Sequence, residues 1–183
     1  QDPFSEVSGR GIKRLKDAGR EVITGVLEKE CRELIMRFIT FQTKKRPYIT
    51  LKWAESADGY IDIKRQNGKP AILSSALSNM LTHKRRAENS AIMVGTNTAL
   101  LDNPSLNVRN WYGHSPVRIV IDRKKKLPSN LKLFNGNILT LVFTQSPHPT
   151  IQNVEYIPTD FNRDFLLKIL ETLHSRNLQS LLV

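Results

Sequence analysis

AIMVGTNTALLDNPSLNVR, residues 91–109, decides the fold class. The apolar run 91–94 has the length and composition of a short buried strand. Gly95 and Thr96 then turn the chain into a short helix that stops before Pro104. Backbone N–H groups at a helix start suit a phosphate. An ordinary strand-to-helix turn with a threonine cap reads equally well from the same residues. Asp102-Asn103-Pro104 is a tight turn that leads through Leu106 to Arg109. Arg109 can grip a phosphate with two donors, or stand as a plain surface arginine. No Gly-Lys-Ser/Thr follows the glycine and no GxGxxG occurs, so this is neither a P-loop nor a dinucleotide fingerprint.

Outward from this stretch, RPYITLKWAESADGYID (46–62) has the same build, an apolar run joined to a polar turn. Residues 48–54 alternate as a strand. Lys52 inside that strand is costly unless it faces a partner, a polar cleft or solvent. Ala57-Asp58-Gly59 is a turn, and 60–63 returns as a second strand. KRQNGKP (64–70) is a loop, and 76–87 is a helix capped by Ser74 or Ser75. Strands are expected at 117–122, 138–144, 154–157 and 178–183. A helix capped by Asp160 carries Phe165, Leu166, Ile169, Leu170 and Leu173. Strands alternating with helices argue for an α/β layer with a mainly parallel sheet. Such a sheet takes its ligand outside the carboxyl ends of its strands. The polar residues after Ala54, Val94 and Val142 are therefore the candidates. Before residue 44 the expectation is a helix at 9–18, a strand at 21–26 and a helix at 28–41. The last carries the stripe Cys31, Leu34, Ile35, Phe38 and Phe41, with Cys31 as a small core residue.

Composition limits the function classes. The 183 residues, 39% hydrophobic and 25% charged, suit one ordinary domain with room for part of another. No apolar run approaches the roughly 18 residues of a membrane helix. The N-terminus lacks the pattern of a signal peptide. The single cysteine cannot form an internal disulfide. A cytoplasmic location is expected. The net charge of +11 comes in scattered clusters. These are solvated faces, or a field that concentrates phosphorylated ligands. No aromatic-rich RNA-binding motif accompanies them, so a nucleic-acid partner is not expected. Four dispersed histidines and one cysteine do not make a metal site. No GxSxG supports serine hydrolysis.

Read in register, RPYITLKWAESADG, HKRRAE and VGTNTALLDNPSLNVR resemble the reductase domain of the bifunctional riboflavin-biosynthesis deaminase/reductase. The order and spacing fit from Arg46 to about Asp122. The resemblance implies a dihydrofolate-reductase-like α/β fold, a mainly parallel sheet flanked by helices. It implies hydride transfer from NADPH to the ribose of a phosphoribosylaminopyrimidine, giving the ribityl compound. Carried over residue by residue, Lys52 lies near the reacting ribose, and Asp58 is a motif aspartate. Ala54, Ser74, Thr98, Asp102 and Thr144 face the dinucleotide. Arg86, Leu106 and Arg109 face the phosphorylated pyrimidine substrate. A homo-oligomer without metal or membrane is implied.

Residues 1–44 resemble the tail of a preceding zinc deaminase domain and a linker, with 45–183 an incomplete reductase domain. The zinc motifs of such a domain do not occur in the 183 residues, so deamination is not expected. The family commonly has a tryptophan where this chain has Ile72. It continues as LLVEGG where this chain reads LLV, which implies a fold without its closing strands and glycine-rich loop. Two further readings stay open: an inactive binding or assembly module, and a basic nucleic-acid-binding protein.

Overall fold

A computed structural model describes residues 4, 7–65, 68–146 and 148–183. Three helices come first: α1 (Arg10–Asp17), α2 (Glu28–Leu34) and α3 (Met36–Lys44). The order then runs β1 (Tyr48–Thr50), α4 (Ala76–Ala87), β2 (Ala91–Val94), α5 (Thr96–Asp102) and β3 (Val117–Ile121). A short 3-10 turn (Lys132–Phe134) leads to β4 (Thr140–Thr144), β5 (Val154–Pro158), α6 (Phe165–Ser175) and β6 (Ser180–Leu182). The chain divides into two compact units. The first comprises residues 1–48 and 170–179, the second 49–169 and 180–183.

The six strands lie in the order β1-β6-β2-β3-β4-β5. The ladders of β2 with β3 and β6, of β3 with β4, and of β4 with β5 are parallel. Val183 donates to the Thr50 carbonyl and accepts from Lys52 N–H, the pattern of a parallel ladder between β1 and β6. From β2 to β5 the strands advance in one direction, and β6 then returns to the other side of β2. The topological switch therefore falls on the side of β2 where β6 and then β1 lie, and a parallel sheet leaves a crevice at its carboxyl end at such a point.

The second unit has a core of its own. Ile92, Ala99, Leu106, Val120, Leu133, Val142 and Leu182 form one buried cluster. Each large aliphatic side chain there contributes roughly 1.5–3 kcal/mol. All five residues of β4 are buried, in keeping with its apolar centre of Leu141, Val142 and Phe143. Arg118 on β3 is 1% exposed and donates to the Lys132 and Leu133 carbonyls and to Asn135 Oδ1, pinning the 3-10 turn. Burial lowers its pKa. Asp122 accepts the Lys126 and Leu127 N–H groups and so folds the basic run 123–126 into an exposed turn.

Several local expectations fail, each because a pattern lacks its partner. Residues 21–26 form no strand: Ile23 and Val26 are 76% and 68% exposed, with no ladder along the segment. The helix expected at 28–41 is broken at Ile35 (φ −105°, ψ 21°) into α2 and α3. Cys31 is exposed rather than in a core, and Leu34 is 87% exposed. The stripe specifies a helix, but of its members only Phe41 is buried, stacked on His174 within the first unit. Strand β1 ends at Thr50 instead of reaching 54, and 60–63 is not a strand. There the Asp62 carboxylate takes the Ile63 and Ala71 N–H groups that a ladder would have used. Asp160 does not cap α6; Asn162 Oδ1 accepts the Asp164 N–H at that end. The turn at 57–59, the helix at Ala76–Ala87 with its Ser75 cap, β2 and α5 follow expectation. The loop 64–70 is described except for Gln66 and Asn67, which lie outside the described residues.

Candidate active site

A cavity of about 560 Å³ opens at the switch point. Lys52, Trp53 and Ala54 reach it where the chain leaves β1. Asn97, Thr98 and Asp102 reach it from α5, and Asn79 from α4. Ile61, Asp62, Arg65 and residues 70–74 make the remaining wall. Its neutral polar surface is made of the hydroxyls of Ser74 and Thr98 and the amides of Asn79 and Asn97. Beside them stand the exposed indole of Trp53 and the 93% exposed Ile72. The set suits a ring-bearing ligand rich in hydroxyls.

The charges of this cavity are organised by Arg65. Its guanidinium pairs with Asp62 and with Asp102, both at 2.6 Å, and donates to the Leu101 carbonyl at 3.1 Å. The wall segment is thereby tied to the end of α5. N–H groups of Ala71 and Ile63, with the Arg65 guanidinium, hold the Asp62 carboxyl below its ordinary pKa. The two carboxylates raise that of Arg65. Lys52 makes no ion pair among the described residues, so its ammonium stays available to a ligand.

A second polar cluster stands further along α4. Asn79, His83 and Arg86 are spaced i, i+4, i+7 and share one helix face. At 1.5 Å per residue, the arginine lies about 10 Å along the helix from the cavity-lining amide. Arg86 donates to the Asn107 carbonyl at 3.1 Å. Arg109 donates through its guanidinium to Asn107 Oδ1 at 3.1 Å. The Arg109 backbone N–H donates to His83 Nδ1 at 3.2 Å, and Val108 N–H to Ser115 Oγ at 3.0 Å. Three consecutive residues, 107–109, are thus each tethered. Burial first, then the charge of Arg109, lowers the pKa of Arg86. Burial first, then Arg86 and Arg109, lowers that of His83, against an opposing contribution from the Asn107 carbonyl. Arg86 Nε is buried with no hydrogen-bond partner among the described residues, and no carboxylate there pairs with either arginine. Two cations held together without a counter-ion make an anion site.

The expected residues fall into three groups. Lys52, Ala54, Ser74, Thr98 and Asp102 line the cavity, and Arg86 and Arg109 form the cationic cluster. Leu106 and Thr144 are inside the protein. Leu106 is 4% exposed in the core and sits at φ +48°, so its side chain anchors the loop that carries Arg109. Thr144 is fully buried at the end of β4, where its Oγ1 accepts the Ser146 N–H. Asp58 is outside the cavity lining; its carboxylate accepts the Ser56 hydroxyl in the turn at 57–59. Arg65, Asp62, Asn79, Asn97 and His83 were not foreseen. The spacing of His83 from Arg86 could have drawn notice, since i and i+3 share a helix face. Nothing distinguishes Arg65 from its basic neighbours in sequence.

The profile of the RibD C-terminal domain matches residues 47–183. The chain belongs to the RibD C-terminal domain family. The riboflavin biosynthesis protein RibD of Aquifex aeolicus is 36% identical over 185 residues, which are 97% of this chain and 51% of that protein. The RibD of Actinobacillus pleuropneumoniae is 39% identical over 132 residues, 72% of this chain and 35% of that protein. Among solved structures, one from Thermotoga maritima is a diaminohydroxyphosphoribosylaminopyrimidine deaminase/5-amino-6-(5-phosphoribosylamino)uracil reductase. It superposes with a TM-score of 0.86 at 38% identity, over 100% of this chain and 51% of that one. The riboflavin biosynthesis reductase Rib7 of Saccharomyces cerevisiae gives a TM-score of 0.60 at 26% identity, over 82% and 71% of the two chains. The chain spans about half the length of the RibD of Aquifex aeolicus. The parallel sheet and these neighbours bear out the dihydrofolate-reductase-like α/β fold expected of the family. No helix among the described residues is long and apolar enough to cross a membrane.

Proposed function

We propose that this chain is the reductase part of a riboflavin-pathway enzyme. It reduces 5-amino-6-(5-phosphoribosylamino)uracil to the ribitylamino compound with NADPH. Its RibD relatives support the pathway. The observation that carries the substrate class is the pair of Arg86, on α4, and Arg109, with no carboxylate partner among the described residues, beside a helix whose earlier turns reach the cavity. A phosphate on the arginines leaves the attached ribose free to extend along α4 toward Lys52.

The cavity residues fit NADPH. Ser74, Asn79, Asn97 and Thr98 offer neutral donors and acceptors to an amide and to ribose hydroxyls. Trp53 offers a face to a flat ring. Asp62 and Asp102 would repel the cofactor's phosphates, and Arg65, paired with each, offsets part of that charge. Bound there, NADPH supplies a hydride. Conversion of a ribosylamino to a ribitylamino group adds that hydride at C1′ as the C1′–O4′ bond opens. The balance then needs one proton at O4′. Lys52, exposed at the cavity wall and without an ion pair among the described residues, is the group suited to deliver it. The remaining residues bind and orient, which is where much of an enzyme's rate advantage arises.

The test is NADPH oxidation by the chain with the phosphorylated substrate and with its dephosphorylated counterpart. The proposal expects turnover with the first and a KM raised at least tenfold with the second, the loss of a charge-assisted contact. Equal KM values would remove the phosphate from the account.

A further inference from the structure

His83 is buried, 3% exposed, in a part of the protein where the proposed chemistry gives it no task. It is nonetheless close to both arginines, whose charges act on its ring. It sits one turn before Arg86 on α4, and its Nδ1 accepts the backbone N–H of Arg109, 26 residues away. We propose that His83 is a positioning residue for the substrate phosphate, fixing the Arg109 main chain so that both guanidiniums converge on one anion. This rests on the reading of the arginine pair as a phosphate site.

The geometry assigns each tether a separate job. Arg86 fixes the Asn107 carbonyl, Ser115 fixes Val108, and His83 fixes Arg109, whose own side chain would hold the ligand. Without the His83 acceptor the Arg109 N–H is left unpaired in a part-buried place, and the loop relaxes to satisfy it. Only a neutral imidazole can accept at Nδ1. Burial and the flanking arginines keep the ring neutral, since a third positive charge there is disfavoured. Nothing in this arrangement requires His83 to touch the ligand. It acts through Arg109.

Two polar replacements separate positioning from mere filling. In His83→Asn the amide oxygen can take the place of Nδ1, one bond beyond Cγ. In His83→Gln the polar atoms lie further out, where Nε2 was, and the acceptor for Arg109 is lost. Binding to the full chain is measured by calorimetry with ribose 5-phosphate, with ribose as the unphosphorylated control and NADPH as the control for the other cavity. Wild type is expected to favour ribose 5-phosphate over ribose by at least tenfold. His83→Asn should stay within about threefold of wild type for ribose 5-phosphate. His83→Gln should weaken it about tenfold, the scale of one unpaired buried N–H. Both variants should hold NADPH as wild type does. The proposal is overturned if Asn and Gln behave alike, or if NADPH binding falls in step with the sugar phosphate. Failure of wild type to distinguish ribose 5-phosphate from ribose would instead overturn the phosphate reading beneath it.

Discussion

Arg86 and Arg109 share one residue, Asn107: the first holds its backbone carbonyl and the second its side-chain oxygen, each at 3.1 Å. The two cations come from a helix and from a loop that are separate in sequence, and Asn107 bridges them. Neutral oxygens satisfy part of each guanidinium, but no carboxylate among the described residues cancels the charge. Burial first, and then the charge of Arg109, lowers the pKa of Arg86. A bound phosphate would offset that charge.

Replacing either arginine by alanine should therefore act on the phosphorylated substrate. Arg86→Ala and Arg109→Ala are each expected to raise its KM by about 10- to 100-fold, the range of a hydrogen bond to a charged group. NADPH affinity should change less than threefold. Steady-state kinetics with each ligand varied in turn provides the check, and an equal loss of both would count against the assignment.

Lys52 is expected to behave differently. Lys52→Met keeps the length of the side chain and removes the proton. Its kcat should fall about 100-fold, within the range of positioned acid–base groups, while the substrate KM stays within about threefold. A variant that raises KM and leaves kcat intact would make Lys52 a binding residue.

Arg65→Met leaves Asp62 and Asp102 unneutralised beside the cavity and cuts the tie between the wall segment and α5. NADPH should bind about tenfold more weakly, and added salt should partly restore it by screening the carboxylates. Fluorescence titration at low and high salt reads this. Affinity that is unchanged, or that falls further with salt, would refute the role given to Arg65.

His83 makes stability depend on pH. Its pKa in the fold is lowered from an ordinary value of about 6.5 by burial, by Arg86 and by Arg109, with the Asn107 carbonyl opposing. As the pH falls below about 6.5, the unfolded chain takes up a proton that the folded chain resists, so stability falls in that direction. The contribution is fully present above 6.5 and is lost as the pH drops toward the folded value. Urea unfolding at pH 7.5 and at pH 5.5 should show a larger loss for wild type than for His83→Asn. Equal losses would mean that His83 titrates normally in the fold.

Much of the fold was legible because its signals are local. The β2–α5 stretch carries its own turn residues, α4 carries its Ser75 cap, and β4 has an apolar centre, Leu141 to Phe143. The alternation of strands and helices then implied the parallel order that the ladders show. The errors fell where partners matter more than pattern. Residues 21–26 look like a strand but have no ladder, and the stripe that includes Leu34 leaves that residue exposed. In the site, Lys52, Thr98 and Arg109 stood in recognisable motifs. Arg65 did not, because its meaning lies in Asp102, 37 residues away. His83 is similar: its task becomes visible only once the loop at 107–109 is seen to return to α4.

The central claim is hydride transfer from NADPH to the sugar of a phosphorylated pyrimidine. It is tested most directly with NADPH deuterated at the transferring C4 position, followed by mass spectrometry and NMR of the product. The expected result is a ribitylamino product with one deuterium at C1′ for each NADPH oxidised. A product without deuterium, or a chain that binds both ligands and transfers none, would contradict it.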